Sequence, residues 1–136
     1  MEVSQSELIL KTYREIATKL KKPYYVLEAI PANVGNNQIL YSSPRLKEVV
    51  GLTQYELSSD SNQFFNSIHP DFIEGYFESN KKLLEGSQRA KRIYLIKNKD
   101  TGEFVPVEEL ATSRLNKDRN CYEIYCSIRT INESMD

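Results

Sequence analysis

The chain of 136 residues has no tryptophan, one histidine, two cysteines and no apolar run near the ~20 residues that span a bilayer. Each shortage excludes something. One imidazole and two thiols do not reach the ligand count of an ordinary zinc site, so no metal is expected. Cys121 and Cys126 fall in what reads as one strand, on opposite faces and roughly 16 Å apart. A disulfide needs Cα atoms within about 7 Å, so the two do not pair. An excess of positive charge is also missing: 18 Lys and Arg stand against 19 Asp and Glu. That argues against a dedicated nucleic-acid binder, and Arg89, Lys91 and Arg92 read as a solvated strand end. The opening Glu2 to Glu7 lacks the basic start and apolar core of a signal peptide. A cytoplasmic protein with no membrane insertion is expected. The sequon Asn132-Glu133-Ser134 would matter only in secretion.

What is present is ordinary globular balance, 40% hydrophobic and 27% charged, enough for one core in one domain. Ser4-x-x-Glu7 is a capping-box pattern, followed at helical spacing by Ile9, Tyr13, Ile16 and Leu20. Lys19, Lys21 and Lys22 suit the far end of that helix, and Pro23 stops it. An amphipathic cap helix over 1–23 and a main domain over 24–136 are therefore expected. Strands are predicted at 24–30, 38–42, 90–98, 103–115 and 121–131. Short helical pieces are expected at 44–50, 55–57 and 62–68. A longer helix over 71–85 opens at His69-Pro70-Asp71 and ends near Gly86. Its buried stripe is Ile73, Tyr76, Phe77, Leu83 and Leu84. Strands, then helices, then a three-stranded meander make an α+β plan, with helices gathered on one face of an antiparallel sheet.

At this point the chain resembles the PAS family. The resemblance runs from about Tyr24 to Glu133 and rests on four short motifs in order. They are Ile39-Leu40-Tyr41-Ser42-Ser43-Pro44; then Leu46, Val49, Gly51, Thr53 and Glu56-Leu57; then Ile68-His69-Pro70-Asp71; then Asn98-Lys99-Asp100-Thr101-Gly102. It implies a PAS-like five-stranded antiparallel sheet in the order 2-1-5-4-3, with helices on one face and a small cavity between. It also implies a sensory or regulatory module of a signalling protein, such as a bacterial sensor kinase of a two-component system. The chain departs from the family pattern at Ser43, where many members carry Asn, and at Phe72, where they carry a second Asp. Thr130-Ile131-Asn132 replaces the acidic phrase that often precedes a signalling helix.

No catalytic constellation is found. His69 reads as a helix-entry residue with no nucleophile beside it, and no glycine-rich phosphate loop occurs. The resemblance also bears on cofactors. Ser58 to Ile68 contains no cysteine, which excludes the family's flavin photoadduct, and Ile73 to Glu85 contains no histidine, which counts against haem. Glu108 and Glu109 point to opposite faces of one strand, so one of them points inward unless a bulge at Pro106 turns it. Asn80 lies on the apolar stripe of the long helix, either near solvent at its boundary or as a polar contact to a ligand. Tyr122, Ile124, Cys126 and Ile128 are taken as the helix-facing side of the last strand.

The expected cavity is lined by Leu46, Phe65, Tyr76, Asn80, Leu83, Ile124 and Cys126 and suits a compact, mostly apolar ligand with one polar group. The strands at 24–30 and 93–96 are apolar on both faces, so the outer face needs a cover. The stripe Ile9, Tyr13, Ile16 and Leu20, meeting Tyr125 of the same subunit or of a second copy, is the expected cover and dimer contact. A signalling output domain or partner protein is expected, and with it an excised sensor rather than a whole gene product. The alternative is a ligand-free interaction or dimerisation module of the same fold.

Overall fold

A computed structural model describes residues 22–29, 37–85 and 89–131, together with Leu8, Lys11, Thr12 and Glu15. The stripe Ile9, Tyr13, Ile16 and Leu20 lies outside the described residues, as does Gly86. Five strands form one antiparallel sheet: β1 (Tyr24–Ala29), β2 (Gln38–Ser42), β3 (Arg89–Lys97), β4 (Phe104–Asn116) and β5 (Cys121–Thr130). Their order is β2-β1-β5-β4-β3, as the resemblance implied. Between β2 and β3 run α1 (Leu46–Val50), α2 (Gln54–Ser59), α3 (Asn62–Phe65) and α4 (Pro70–Leu84).

β1 is buried at all six positions, because it lies between β2 and β5 and its two faces enter two different clusters. Tyr25 and Leu27 join the main core with Leu46, Leu57, Phe64, Tyr94, Ile96 and Ile124. Tyr24 and Val26 join Tyr125 on the opposite face, with Leu40 and Tyr41 packed against them. Leu40 and Tyr41 share that side because a bulge interrupts the β1–β2 ladder between Val26 and Leu27. The bulge at Pro106 that would have turned the inward glutamate does not form. Pro106 pairs with Leu95 in an unbroken β3–β4 register, and its carbonyl accepts from Ile131 N just beyond the end of β5. The N–H that proline lacks thus falls where the ladder stops.

Two of the helices, α2 and α4, open on side-chain caps. His69 Nδ1 accepts from Asp71 N at 3.0 Å, and Pro70 occupies the first turn of α4, where no backbone donor is needed. Thr53 and Glu56 form a reciprocal capping box at α2. A salt bridge from Lys99 (2.8 Å) and the Thr53 backbone bond hold the Glu56 carboxyl down to about 2. Asn98 joins the two halves of the domain. Its Nδ2 donates to the carbonyls of Glu48 and Val49 at the end of α1, and its Oδ1 accepts from Asp100 and Thr101 N in the β3–β4 turn.

Gly51 ends α1 in the left-handed region (φ 69°), directly against that turn. A Cβ there would lie 2.7 Å from Asn98 Oδ1 and 2.7 Å from Asp100 N. Gly102 has a similar φ of 73° but open space around it. Gly102→Ala should therefore cost only the left-handed penalty, about 1–2 kcal/mol. Gly51→Ala adds a backbone collision and should cost clearly more. Urea unfolding of the two variants checks this, and equal losses would show that α1 does not bear on the turn.

Candidate functional site

The inner face of the sheet carries a charged pair at its centre. Side chains alternate along β3 and β4, so Arg92, Tyr94 and Ile96 face the helices together with Val107, Glu109 and Ala111. Arg92 is directly opposite Glu109 in the β3–β4 ladder. The reading of Arg92 as part of a solvated strand end is thus corrected: it is buried, while Arg89 and Lys91 on the other parity are exposed.

Glu109 is 0% exposed, and both of its carboxylate oxygens are met by donors. Arg92 Nε donates to its Oε1 at 2.5 Å, and Arg92 Nη2 forms an ion pair with the same oxygen. Tyr25 OH (2.7 Å) and Tyr94 OH (2.6 Å) both donate to its Oε2. Tyr25 OH lies 2.6 Å from Tyr76 OH, and since its own proton goes to Glu109, Tyr76 is the donor between them. The guanidinium lies over the Tyr76 ring, 4.1 Å from its centroid. Burial raises the pKa of Tyr25, Tyr76 and Tyr94, with the Glu109 charge adding to the shift. Burial also raises the Cys126 thiol, which lies 3.6 Å from Arg92 Nη2. For Arg92 burial acts downward and is the largest single effect, but Glu109 together with Tyr76, Tyr25 and Cys126 outweighs it and raises the pKa.

Asn80 completes the cluster from α4. It is 1% exposed, so it is no boundary residue near solvent. Its Oδ1 accepts from Arg92 Nη1 at 2.5 Å. The opposite amide orientation would press an NH2 against the guanidinium, so the oxygen must face Arg92. Nδ2 is left buried without a partner.

The seven residues expected to line a cavity are all buried, and six of them (Leu46, Phe65, Tyr76, Leu83, Ile124 and Cys126) belong to the main core beside Asn80. The helix-facing parity of β5 is as expected at Ile124, Cys126 and Ile128. Of the polar centre they surround, only Asn80 and an inward carboxylate were foreseen. Tyr125 lies on the outer face, where its hydroxyl donates to Glu123 at 2.8 Å. That face divides. Around β1 and β5 it is buried, while across β3 and β4 it exposes Ile93 (57%) and Leu110 (55%) beside the Lys91–Glu108–Arg129 ion pairs. Two hollows open at the surface along β2. One, of about 210 Å³, is lined by Asn37, Gln38 and the run 58–62. The other, of about 320 Å³, is lined by residues 39–42 with Gln54, Tyr55 and Ser58. Among the described residues no His, Cys, Asp and Glu gather as a metal site would require.

Removing one partner of a buried pair leaves the other charge uncompensated. Glu109→Gln and Arg92→Met should each cost about 3–5 kcal/mol of unfolding free energy, and the double variant clearly less than their sum. Additive losses in a double-mutant cycle would refute the coupling. The tyrosines set an alkaline limit. Their folded pKa values are raised, so their contribution is complete below the unfolded value near 10 and is lost as pH rises beyond it. Stability should fall above about pH 10, with the tyrosinate absorbance of the three appearing only on unfolding.

A family model described as a PAS fold matches residues 39–128, well over half of the chain. No curated protein matches. Among solved structures, the PAS domain of a Colwellia psychrerythraea protein superposes with a TM-score of 0.69 at 13% identity, covering 90% of this chain and 97% of that one. A PAS domain from a two-component sensor histidine kinase gives 0.66 at 17% identity, covering 93% and 100%. The N-terminal domain of a diguanylate cyclase with a PAS/PAC sensor, from Marinobacter aquaeolei, gives 0.60 at 12% identity, covering 83% and 99%. With the strand order and the motif residues in place around Asn98, the chain belongs to the PAS-fold family.

Proposed function

We propose that this chain is a non-catalytic sensory module of a cytoplasmic signalling protein, and that the buried cluster around Arg92 and Glu109 is where its signal is received. The observation that carries the reading is Asn80. A buried donor without an acceptor costs about 1–3 kcal/mol, and this one projects from α4 into a charged pair that is itself expensive to bury. A compact ligand, mostly apolar and bearing one acceptor oxygen, would satisfy Nδ2 against the apolar walls of Phe65 and Leu83. The cluster joins α4, through Tyr76 and Asn80, to β1, β3 and β4, through Tyr25, Arg92 and Glu109. A ligand competing for any of these bonds changes how α4 sits on the sheet, and an output domain or partner protein would read that change. The family membership and the neighbours drawn from a histidine kinase and a diguanylate cyclase support the signalling context. No flavin adduct or haem enters the reading.

A second reading, a ligand-free interaction module, is favoured by the interior itself, where Arg92 lies on the Tyr76 ring and the expected lining residues are packed into one core. In that reading a homodimer forms on the outer sheet face, with the stripe Ile9, Tyr13, Ile16 and Leu20 as its cover.

Native mass spectrometry of the purified chain separates the two. A retained small molecule is expected, and Asn80→Leu should release it while leaving the domain folded. A bare mass in every preparation would leave the interaction reading, which light scattering of the chain with and without residues 1–22 then tests. A dimer lost on deletion would support it, and a monomeric full-length chain would end it.

A further inference from the structure

On the outer face of β3 and β4 the side chains pair rung by rung as Lys91–Leu110, Ile93–Glu108, Leu95–Pro106 and Lys97–Phe104. Every rung holds at least one apolar group, so an apolar seam runs unbroken from Leu110 to Phe104. Ile93, Leu110 and Phe104 are exposed at 57%, 55% and 42%, and Leu95 and Pro106 are half-buried. The seam is about 20 Å long and, at two strands, about 10 Å wide. Those are the dimensions of an α-helix of three to four turns.

The charge around the seam is one-sided. Arg89, Lys91 and Lys97 border it on β3 and Arg129 on β5, and all four are exposed. Glu108 is the one carboxylate among the outward side chains of β3 and β4, and it is held by Lys91 at 3.3 Å and Arg129 at 2.9 Å. Lys97 Nζ lies 5.6 Å from the centre of the Phe104 ring, so cation and apolar surface are presented together. The neighbouring strip of the same face is closed, with Tyr24, Val26 and Tyr125 buried. The edge of β3 beside the seam is also closed to an added strand: Leu95 O accepts from His69 N, and Lys97 N donates to Ser67 O. A partner must therefore lie on the face.

From this surface we infer that the β3–β4 seam docks an amphipathic helix of a partner protein, one whose apolar stripe is flanked by carboxylates. The stripe covers Leu110, Ile93 and Phe104, and the carboxylates meet Arg89, Lys91 and Lys97 on one flank and Arg129 on the other. A second copy turned onto the seam by a two-fold axis would set the excess of cations against itself. An anionic bilayer is the poorer fit, because Glu108 at the centre of the seam would be pressed among like-charged headgroups. A helix can place an uncharged residue there. The seam lies across the sheet from the Arg92–Glu109 cluster, and the inference does not depend on the sensory reading.

Three helical peptides of about 14 residues, each with one leucine stripe, test it when titrated into the ¹⁵N-labelled full chain. Their flanks carry glutamate, glutamine or lysine. The glutamate peptide should shift the amides of residues 89–97, 104–112 and 127–130, with a dissociation constant on the order of 100 µM. The glutamine peptide should bind about tenfold more weakly, and the lysine peptide should produce no shifts. Arg89→Glu combined with Lys97→Glu leaves both partners of Glu108 in place and should remove the preference for glutamate over glutamine. Ile93→Ser combined with Leu110→Ser should abolish the shifts while the rest of the spectrum stays unchanged, since both side chains are exposed. Equal response to the three peptides, shifts confined to other parts of the domain, or no shifts at ~1 mM would each overturn the assignment. So would tighter binding to vesicles of anionic phospholipid than to the glutamate peptide, or a dimer of the full chain that the two serine substitutions dissociate.

Discussion

The Glu109 carboxylate is the constraint on which the interior depends. An ion at the middle of a sheet is tolerated only if each of its oxygens is met by donors, and here those donors come from two other strands. Tyr25 arrives on β1, and Arg92 and Tyr94 arrive on β3, in register with β4 by direct pairing. α4 then closes the cluster by giving Arg92 an amide oxygen and an aromatic face. A slip of one residue in the β3–β4 ladder would turn Arg92 to solvent and leave Glu109 alone in the core. An apolar pair would tolerate such a slip far better. The buried charges add little net stability for their cost, and what they enforce is register.

A second joint works by backbone geometry. Gly51, Thr53, Glu56 and the run from Asn98 to Gly102 are far apart in the chain and meet at one place, where α1 ends, α2 begins and the β3–β4 turn folds back. Gly51 is required because Asn98 and the turn backbone fill the volume a side chain would take. Ser43 acts similarly at the start of the helical segment, accepting from Tyr24 N and donating to Lys22 O. His69 ties the other end, its backbone N donating to Leu95 O as the ring caps α4. The motifs that identify the family are therefore joints between the sheet and its helices, and none of them performs chemistry. That is why they reveal the fold and say little about a ligand.

Legibility followed the same division. Caps, turns and strand periodicity are local and could be read from neighbouring residues: Pro70 after His69, Gly after the end of α1, Asn98 and Asn116 each accepting from two turn amides. Ile124 and Cys126 were legible as inward from strand parity, and Tyr76 and Leu83 from the helix stripe. The pairing of Arg92 with Glu109 was not, because a run of three basic residues in four looks solvated when taken alone. The signal was present in the turn. Closure of the hairpin at Lys97 and Phe104 fixes the register, and five steps back along each strand bring Arg92 opposite Glu109. Counting from the turn places a charge of each sign on the same inner face, and the inward carboxylate then has its partner. Tyr25 and Tyr94 remained hidden for a different reason: an aromatic residue in a strand is consistent with plain core, and nothing local shows that its hydroxyl is needed.

The two faces of the sheet are not independent. Glu108 and Glu109 are neighbours on β4, one held outside by Lys91 and Arg129 and the other inside by Arg92 and two tyrosines. Lys91 and Ile93 flank Arg92 on β3 in the same way. Cross-strand ion pairs thus fasten both sides of one stretch of backbone, and a strand cannot move its inner side chains without moving its outer ones. Any event that changes the bonds of Arg92 must be taken up by α4, which is joined to it through Asn80, or by β3 and β4, whose outer face carries the exposed Ile93 and Leu110. The main core is packed around the cluster on the first route, whereas the second ends at solvent.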